Sequence, residues 1–402
     1  MKRHVRDLIA AASVLLATTA TVKADSDISH NWNSESEVAA LRVFRAKYEA
    51  LGGTWKETSF PDTEKSLAST KTRIIGGNPP MVLQSALGGT LKSFQEGGLL
   101  QDMDSVAVPE NWDSRLPEVL AASVKYEGHY VAAPVFVDVI NWMYTNNDVL
   151  TATGVSPPNS WSEFMTALPK IKAAGFIPLA VGGESWQEGI LFDHALLSVG
   201  GADLYDAVMR GDVDSVDDGK LTEAFNAFGA LREFTDEGKV GRSWNDTNTL
   251  MVTGKAAFFF MGPWAADSYA SLGAEGSKWS CRLTPWSKAL AVVSGGFQFI
   301  KVADENDVKA QALFATAVMD PATQIAAAQA MGTLPAVKSV DPTQFRGCVA
   351  KAGLAMKSGD IVDHWNGRTA IVGNALKDTV TAFWNSEMSS EDAVAAFKAA
   401  LQ

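Results

Sequence analysis

Between Ile28 and Leu51 the hydrophobic pattern changes period. Ile28, His30 and Trp32 recur every second residue, the spacing of a strand. Val38, Leu41, Phe44, Tyr48 and Leu51 then recur at intervals of three and four, which marks one face of a helix. Asn33, Ser34 and Ser36 are capping residues between the two, and Glu35 and Glu37 fall in the first helical turn, where exposed N–H groups favour acids. Such a junction gathers unpaired backbone N–H groups at one point. Here it also offers an indole (Trp32), an amide (Asn31) and carboxylates (Glu35, Glu37). Flat apolar area suits the face of a sugar ring, and the polar groups suit its hydroxyls. The same features also describe a capped helix with a partly buried Trp32.

The alternation of strand and helix continues. Residues 54–60 read as a strand and residues 65–75 as a helix ended by Gly76-Gly77-Asn78-Pro79-Pro80. Residues 81–84 form a short buried run that leads through Gly88-Gly89 into a helix reaching Glu96. Repeated β-α-β units predict an α/β layer with a parallel sheet, whose ligands sit beyond the carboxyl ends of the strands. Asn31, Trp32 and Gln84 are expected there. The longest β-like run is 130–144, but Pro134 disfavours a central strand along its whole length, so it is expected to cross between two domains. Residues 176–183 predict a strand ending in glycines, followed by Glu184-Ser185-Trp186-Gln187 at the start of an apolar helix. Residues 254–262 predict a buried strand, and Pro263-Trp264 opens the next helix. Three strand–helix junctions thus each carry a tryptophan. Two further β-like runs, 289–294 and 297–302, flank Gly295-Gly296, after which helices dominate.

Composition changes this picture at the N-terminus. Lys2, Arg3 and Arg6 precede an apolar stretch over residues 8–20, and Val22-Lys23-Ala24 fits a small-x-Ala cleavage site. Residues 1–24 are therefore expected to be a signal peptide. Neither this run nor any later one is long enough for a membrane anchor. The formal net charge is −12, and loss of a leader bearing Lys2, Arg3, Arg6 and Lys23 against Asp7 makes it more negative. That argues against nucleic acid or an anionic membrane as partner. A chain of 402 residues is expected to form two domains. The cysteines Cys281 and Cys348 read either as one disulfide in an oxidising compartment or as two buried thiols.

Several segments, in order, carry a family resemblance: N-W-N-S-E-S-E-V-A-A-L from Asn31, P-V-F-V-D-V-I-N-W-M-Y-T-N from Pro134, S-W-S-E-F from Ser160, I-P-L-A-V-G-G-E-S-W-Q from Ile177, T-G-K-A-A-F-F-F-M-G-P-W from Thr253 and T-A-F-W-N from Thr381. They resemble the extracellular solute-binding proteins of bacterial sugar ABC transporters, of the glucose/mannose-binding type. The resemblance implies a type II periplasmic-binding-protein fold: two α/β lobes joined by a hinge of crossing segments and closing on a ligand. It puts the crossings near 134–139, 291–295 and 332–337. The N-lobe would then comprise 25–135 and 293–334, and the C-lobe 136–292 and 335–402. It also implies a periplasmic monomer that uses no cofactor or metal and passes a mono- or small oligosaccharide to membrane permease subunits.

Matched position by position, the resemblance assigns ligand-binding roles to Asn31, Trp32, Glu37, Gln84, Asn141, Trp142, Trp186, Gln187, Trp264 and His364. Two departures stand out. Pro263 replaces the aspartate often found in Met-Gly-Asp-Trp, and a charged residue expected near Met331 is missing. Arg368 is either a surface arginine or a partner for an acidic ligand such as a sugar acid or glycerol phosphate. No H-E-x-x-H, Walker or G-x-G-x-x-G motif is present, and the region around Ser185 falls one glycine short of a G-x-S-x-G elbow. An exported glycoside hydrolase remains as the enzymatic alternative, with Glu37 and Glu184 as its candidate carboxylate pair.

Overall fold

The computed structural model describes residues 24–338, 340–358, 360–363 and 369–401. Of the expected signal peptide 1–24, residues 1–23 lie outside the described residues, as do the candidate site residues His364 and Arg368. Strand β1 (Ile28–His30) runs into helix α1 (Glu35–Ala50) as the change of period predicts. Ser34 caps the helix: its Oγ accepts from the Glu37 N–H (3.2 Å), while Glu37 Oε2 accepts from the Ser34 N–H (2.9 Å). The buried face is Ala40, Leu41, Phe44 and Tyr48. Leu51, expected on that face, is the C-cap and is exposed.

The chain continues through β2 (Glu57–Ser59), α2 (Thr63–Ile75), β3 (Val82–Ala86) and α3 (Gly89–Glu96). The run expected from 54 to 60 is thus broken before β2. The predicted crossing run is also broken, into β4 (Ala132–Val139) and β5 (Trp142–Asn146). Then follow β6 (Ile177–Ala180), the long helix α4 (Ser185–Arg210), β7 (Ala256–Phe260), β8 (Trp279–Leu283) and β9 (Ala289–Phe299). The C-terminal part holds α5 (Pro321–Met331), β10 (Leu334–Pro335), α6 (Gly347–Ser358), β11 (Asp360–Asp363) and α7 (Ala370–Trp384).

These strands build two principal sheets in two lobes. The larger has seven strands, in the order β10-β4-β9-β3-β1-β2, with β11 also paired to β9. It is mixed: β3, β1 and β2 are parallel, as the β-α-β pattern predicts, but β9 runs antiparallel to both β3 and β4. The smaller sheet has four strands, in the order β6-β7-β5-β8.

The two lobes have separate cores. One gathers Ile28, Trp32, Phe44, Tyr48, Phe297 and Phe314, with Tyr130 to Val135 of the crossing region. The other gathers the second sheet, α4 and α7, together with Val139 and Ala289 to Val293. β4 and β9 therefore each begin in one core and end in the other. Gly295 and Gly296, expected to interrupt β9, lie inside it. A Cβ on Gly295 would meet the Phe136 ring at 2.2 Å, and one on Gly296 would meet the Ala133 carbonyl oxygen at 2.1 Å. The pairing of β9 with β4 shifts register between these two glycines. The glycines thus admit a close approach of the two crossing strands, and they do not end the strand.

Cys281 on β8 and Cys348 at the start of α6 are both buried and joined by a disulfide, with Cα atoms 6.0 Å apart. The bond ties the C-terminal helices to an edge strand of the four-stranded sheet. Among the described residues no helix is long and apolar enough to cross a membrane.

Candidate functional site

A cavity of about 300 Å³ lies between the lobes, at the small end of the usual range for small-molecule sites. Its walls come from the β1–α1 junction, α2, β3 and α3 of one lobe and from the start of α4, Trp264 and α7 of the other. The crossing strands β4 and β9 and the α5–β10 turn also line it, through Phe136, Val293, Met331 and Thr333.

Six of the expected residues meet there: Asn31, Trp32, Glu37, Gln84, Trp186 and Trp264. Asn31 and Trp32 follow the carboxyl end of β1, whereas Gln84 lies within β3. With its amide oriented to satisfy both ends, Gln84 donates to Asn31 Oδ1 (3.1 Å) and accepts from the Trp32 indole N–H (3.0 Å). Trp32 is only 4% exposed, because its ring also packs edge-on against Phe297 at 5.7 Å. In the other lobe, the half-buried rings of Trp186 and Trp264 lie 6.5 Å apart. Gly262 makes room for Trp264: a Cβ there would fall 2.1 Å from the indole.

Glu37 reaches the cavity, but its Oε2 already accepts from the Asn33 N–H, the Ser34 N–H and the Ser34 hydroxyl at 2.8–3.0 Å. Burial pushes its carboxyl above the usual range in spite of these bonds.

Three expected residues do not line the cavity. Asn141 joins the two crossings: its side chain donates to the Ala289 carbonyl (2.9 Å) and accepts from the Ala291 N–H (3.0 Å). Trp142 is buried in the core of the second lobe. Gln187 donates to Glu184 (2.9 Å) and to the Arg242 carbonyl (3.3 Å) beneath the start of α4. Sequence reasoning missed Trp244, Phe136 and Thr333, which carry no local signal and reach the cavity only through the tertiary fold.

The lobes touch at the cavity rim. Ser185 at the start of α4 donates to Glu64 Oε1 of α2 (3.0 Å). Nearby, burial and the acids Asp62 and Glu64 of the opposite lobe push the Glu184 carboxyl up to about 7, against hydrogen bonds from Trp186 and Gln187. Glu184 is therefore harder to ionise in the folded protein than in the unfolded chain. Its contribution to stability falls as pH rises from about 4.5 to about 7. Glu184→Gln is expected to flatten the decline of Tm across that window, measured by thermal melts of both proteins from acid to neutral pH.

A second contact joins α3 to α7. A Cβ built on Gly373 would stand 3.3 Å from the Gly89 Cα, so the two helices meet backbone to backbone across the cleft. Gly373→Leu is expected to raise intrinsic helix stability by roughly 0.5–1 kcal/mol while hindering closure. The expected result is an unchanged or higher Tm with ligand affinity reduced by about tenfold or more, each tenfold being about 1.4 kcal/mol. Thermal melting and calorimetry read the two effects separately.

Two α/β lobes that share crossing strands and enclose a tryptophan-lined cavity define a receptor that holds a small solute in its cleft. A family model of bacterial extracellular solute-binding proteins matches residues 54–280. The chain is 32% identical to a probable sugar-binding periplasmic protein of Rhizobium meliloti (strain 1021), over 100% of this chain and 99% of that one. It is 33% identical to a probable sugar-binding periplasmic protein of Brucella melitensis biotype 1, over 96% and 94% of the two chains. The chain belongs to the family of bacterial extracellular solute-binding proteins. Among solved structures it shares its fold with a chitin oligosaccharide binding protein (TM-score 0.78, 18% identity, 94% of this chain and 98% of that one). Maltose-bound MalE3 of T. maritima is similar too (TM-score 0.71, 19% identity, 94% and 99%).

Proposed function

We propose that the protein is the exported sugar receptor of an ABC importer, which encloses a mono- or small oligosaccharide and presents it unaltered to membrane permease subunits. The observation that carries this reading is the cavity between the lobes, where Trp32, Trp186 and Trp264 supply ring faces beside Asn31 and Gln84. The names of the full-length relatives support it. Indoles cover the apolar faces of a sugar, and each hydroxyl buried without a partner costs about 1–3 kcal/mol, which makes the site selective. Closure helps only as far as the ligand binds the closed form better than the open one. The hinge is placed where β4 and β9 pass from one core to the other, between the lobes 25–135 with 293–334 and 136–292 with 335–402. Cleavage after about Ala24 and action as a monomer complete the proposal.

Binding, not cleavage, is favoured by the fate of the two candidate carboxylates. Glu37 Oε2 is taken up by the helix cap, and Glu184 does not line the cavity. Titration calorimetry with a panel of mono- and disaccharides tests the reading. Saturable heat from at least one sugar, recovered intact afterwards, is the expected result. No heat from any carbohydrate would sink it, and release of a cleaved product would favour a hydrolase.

A further inference from the structure

The crossing segments give the cavity an apolar floor. Phe136 lines it from β4, Ile140 from just past the end of that strand, Val293 from β9 and Met331 from the end of α5. All four are apolar, and Ile140, Val293 and Met331 are at least nine-tenths buried. Asp138 lies two residues from Phe136 and so shares its face of the strand. It is nevertheless fully buried and absent from the cavity wall, with its Oδ1 accepting from the Leu334 N–H (3.1 Å).

One polar atom stands out on this floor. Thr333 lines the cavity and is 1% exposed, and its hydroxyl has no hydrogen-bond partner among the described residues. Polar groups of the same lobe that line the cavity have already spent hydrogen-bonding positions: Gln84 on Asn31 and Trp32, and Glu37 on its helix cap. Besides Glu37, the charged residues Glu64, Lys71, Asp193 and Lys377 line the cavity, from the helices α2, α4 and α7.

We propose that the cavity selects a neutral sugar that carries a methyl group where an ordinary hexose carries a hydroxymethyl group, a 6-deoxyhexose, with the methyl on the floor formed by Phe136, Ile140, Val293 and Met331 and one adjacent hydroxyl on Thr333. A hydroxymethyl group in the place of that methyl would bring a hydroxyl against apolar side chains, where it would be buried without a partner. This inference rests on the sugar-receptor reading and narrows it to a substrate class.

Matched pairs that differ only at C6 test it: D-fucose against D-galactose, and L-rhamnose against L-mannose, each titrated calorimetrically into the protein stripped of endogenous ligand by unfolding and refolding. For at least one pair the deoxy sugar is expected to bind about tenfold or more tightly. Met331→Gln, which brings an amide to the floor at similar volume, is expected to shrink that ratio to about threefold or less. Thr333→Val is expected to weaken the deoxy sugar by about tenfold without lowering Tm by a comparable amount. Equal or tighter binding of the parent hexoses, or tightest binding of D-glucose or N-acetyl-D-glucosamine in the same assay, overturns the inference and leaves the receptor reading standing. Silence from every carbohydrate overturns both.

Discussion

Trp186→Ala is expected to weaken sugar binding by about a hundredfold, close to 2.7 kcal/mol, with little change in the melting temperature of the ligand-free protein. Trp186 sits in the first turn of α4, only half buried, with one side on Trp264 and another on the cavity. Its removal takes away a ring face that a bound sugar would cover but leaves the core of its lobe intact. Trp142→Ala makes the opposite case from the same residue type. That indole is 1% exposed and packs in the second core away from the cavity. Its truncation is expected to cost about 3–5 kcal/mol of stability, with the affinity of the remaining folded fraction nearly unchanged. Melting curves and titration calorimetry on both variants separate the two roles. A Trp186→Ala protein that binds sugar as the parent does would remove this indole from the site.

The second large effect concerns the disulfide. Cys281 and Cys348 close a loop of 67 residues between an edge strand and the C-terminal helices. Loss of a link over such a loop is expected to cost about 2–4 kcal/mol, chiefly by restoring freedom to the unfolded chain. Denaturant unfolding with and without reductant, and of Cys281→Ser with Cys348→Ser, measures it. Because α7 follows the linked helix and lines the cavity, the reduced protein is also expected to bind sugar more weakly. Identical midpoints for oxidised and reduced protein would show that packing alone holds this segment.

The sequence revealed the site where its signal is local. The change of period at Ile28–Leu51, the capping residues before α1 and the tryptophan at each strand–helix junction all depend on neighbours within a few residues. They placed Trp32, Glu37, Trp186 and Trp264 at the cavity. Asn141, Trp142 and Gln187, assigned by position-by-position likeness, do not line the cavity. An asparagine beside a tryptophan looks the same whether it faces a ligand or bridges two strands, and only the partners Ala289 and Ala291, about 150 residues away, decide between these. Thr333 and Trp244 were missed for the converse reason, since each reaches the cavity through the tertiary fold without any motif of its own. The glycine pair in β9 read as a break because glycine usually is one. Its use as clearance for the Phe136 ring and the Ala133 carbonyl depends on a strand far away in the chain.

The passage of β4 and β9 through both cores bears on how the molecule comes apart. Their inner ends pack with Trp32 and Phe297, and their outer ends pack with α4 and α7. Unravelling either half frays the ladder that props up the other, so heat would melt the pair as one cooperative unit, without passing through a stage in which a single half survives alone.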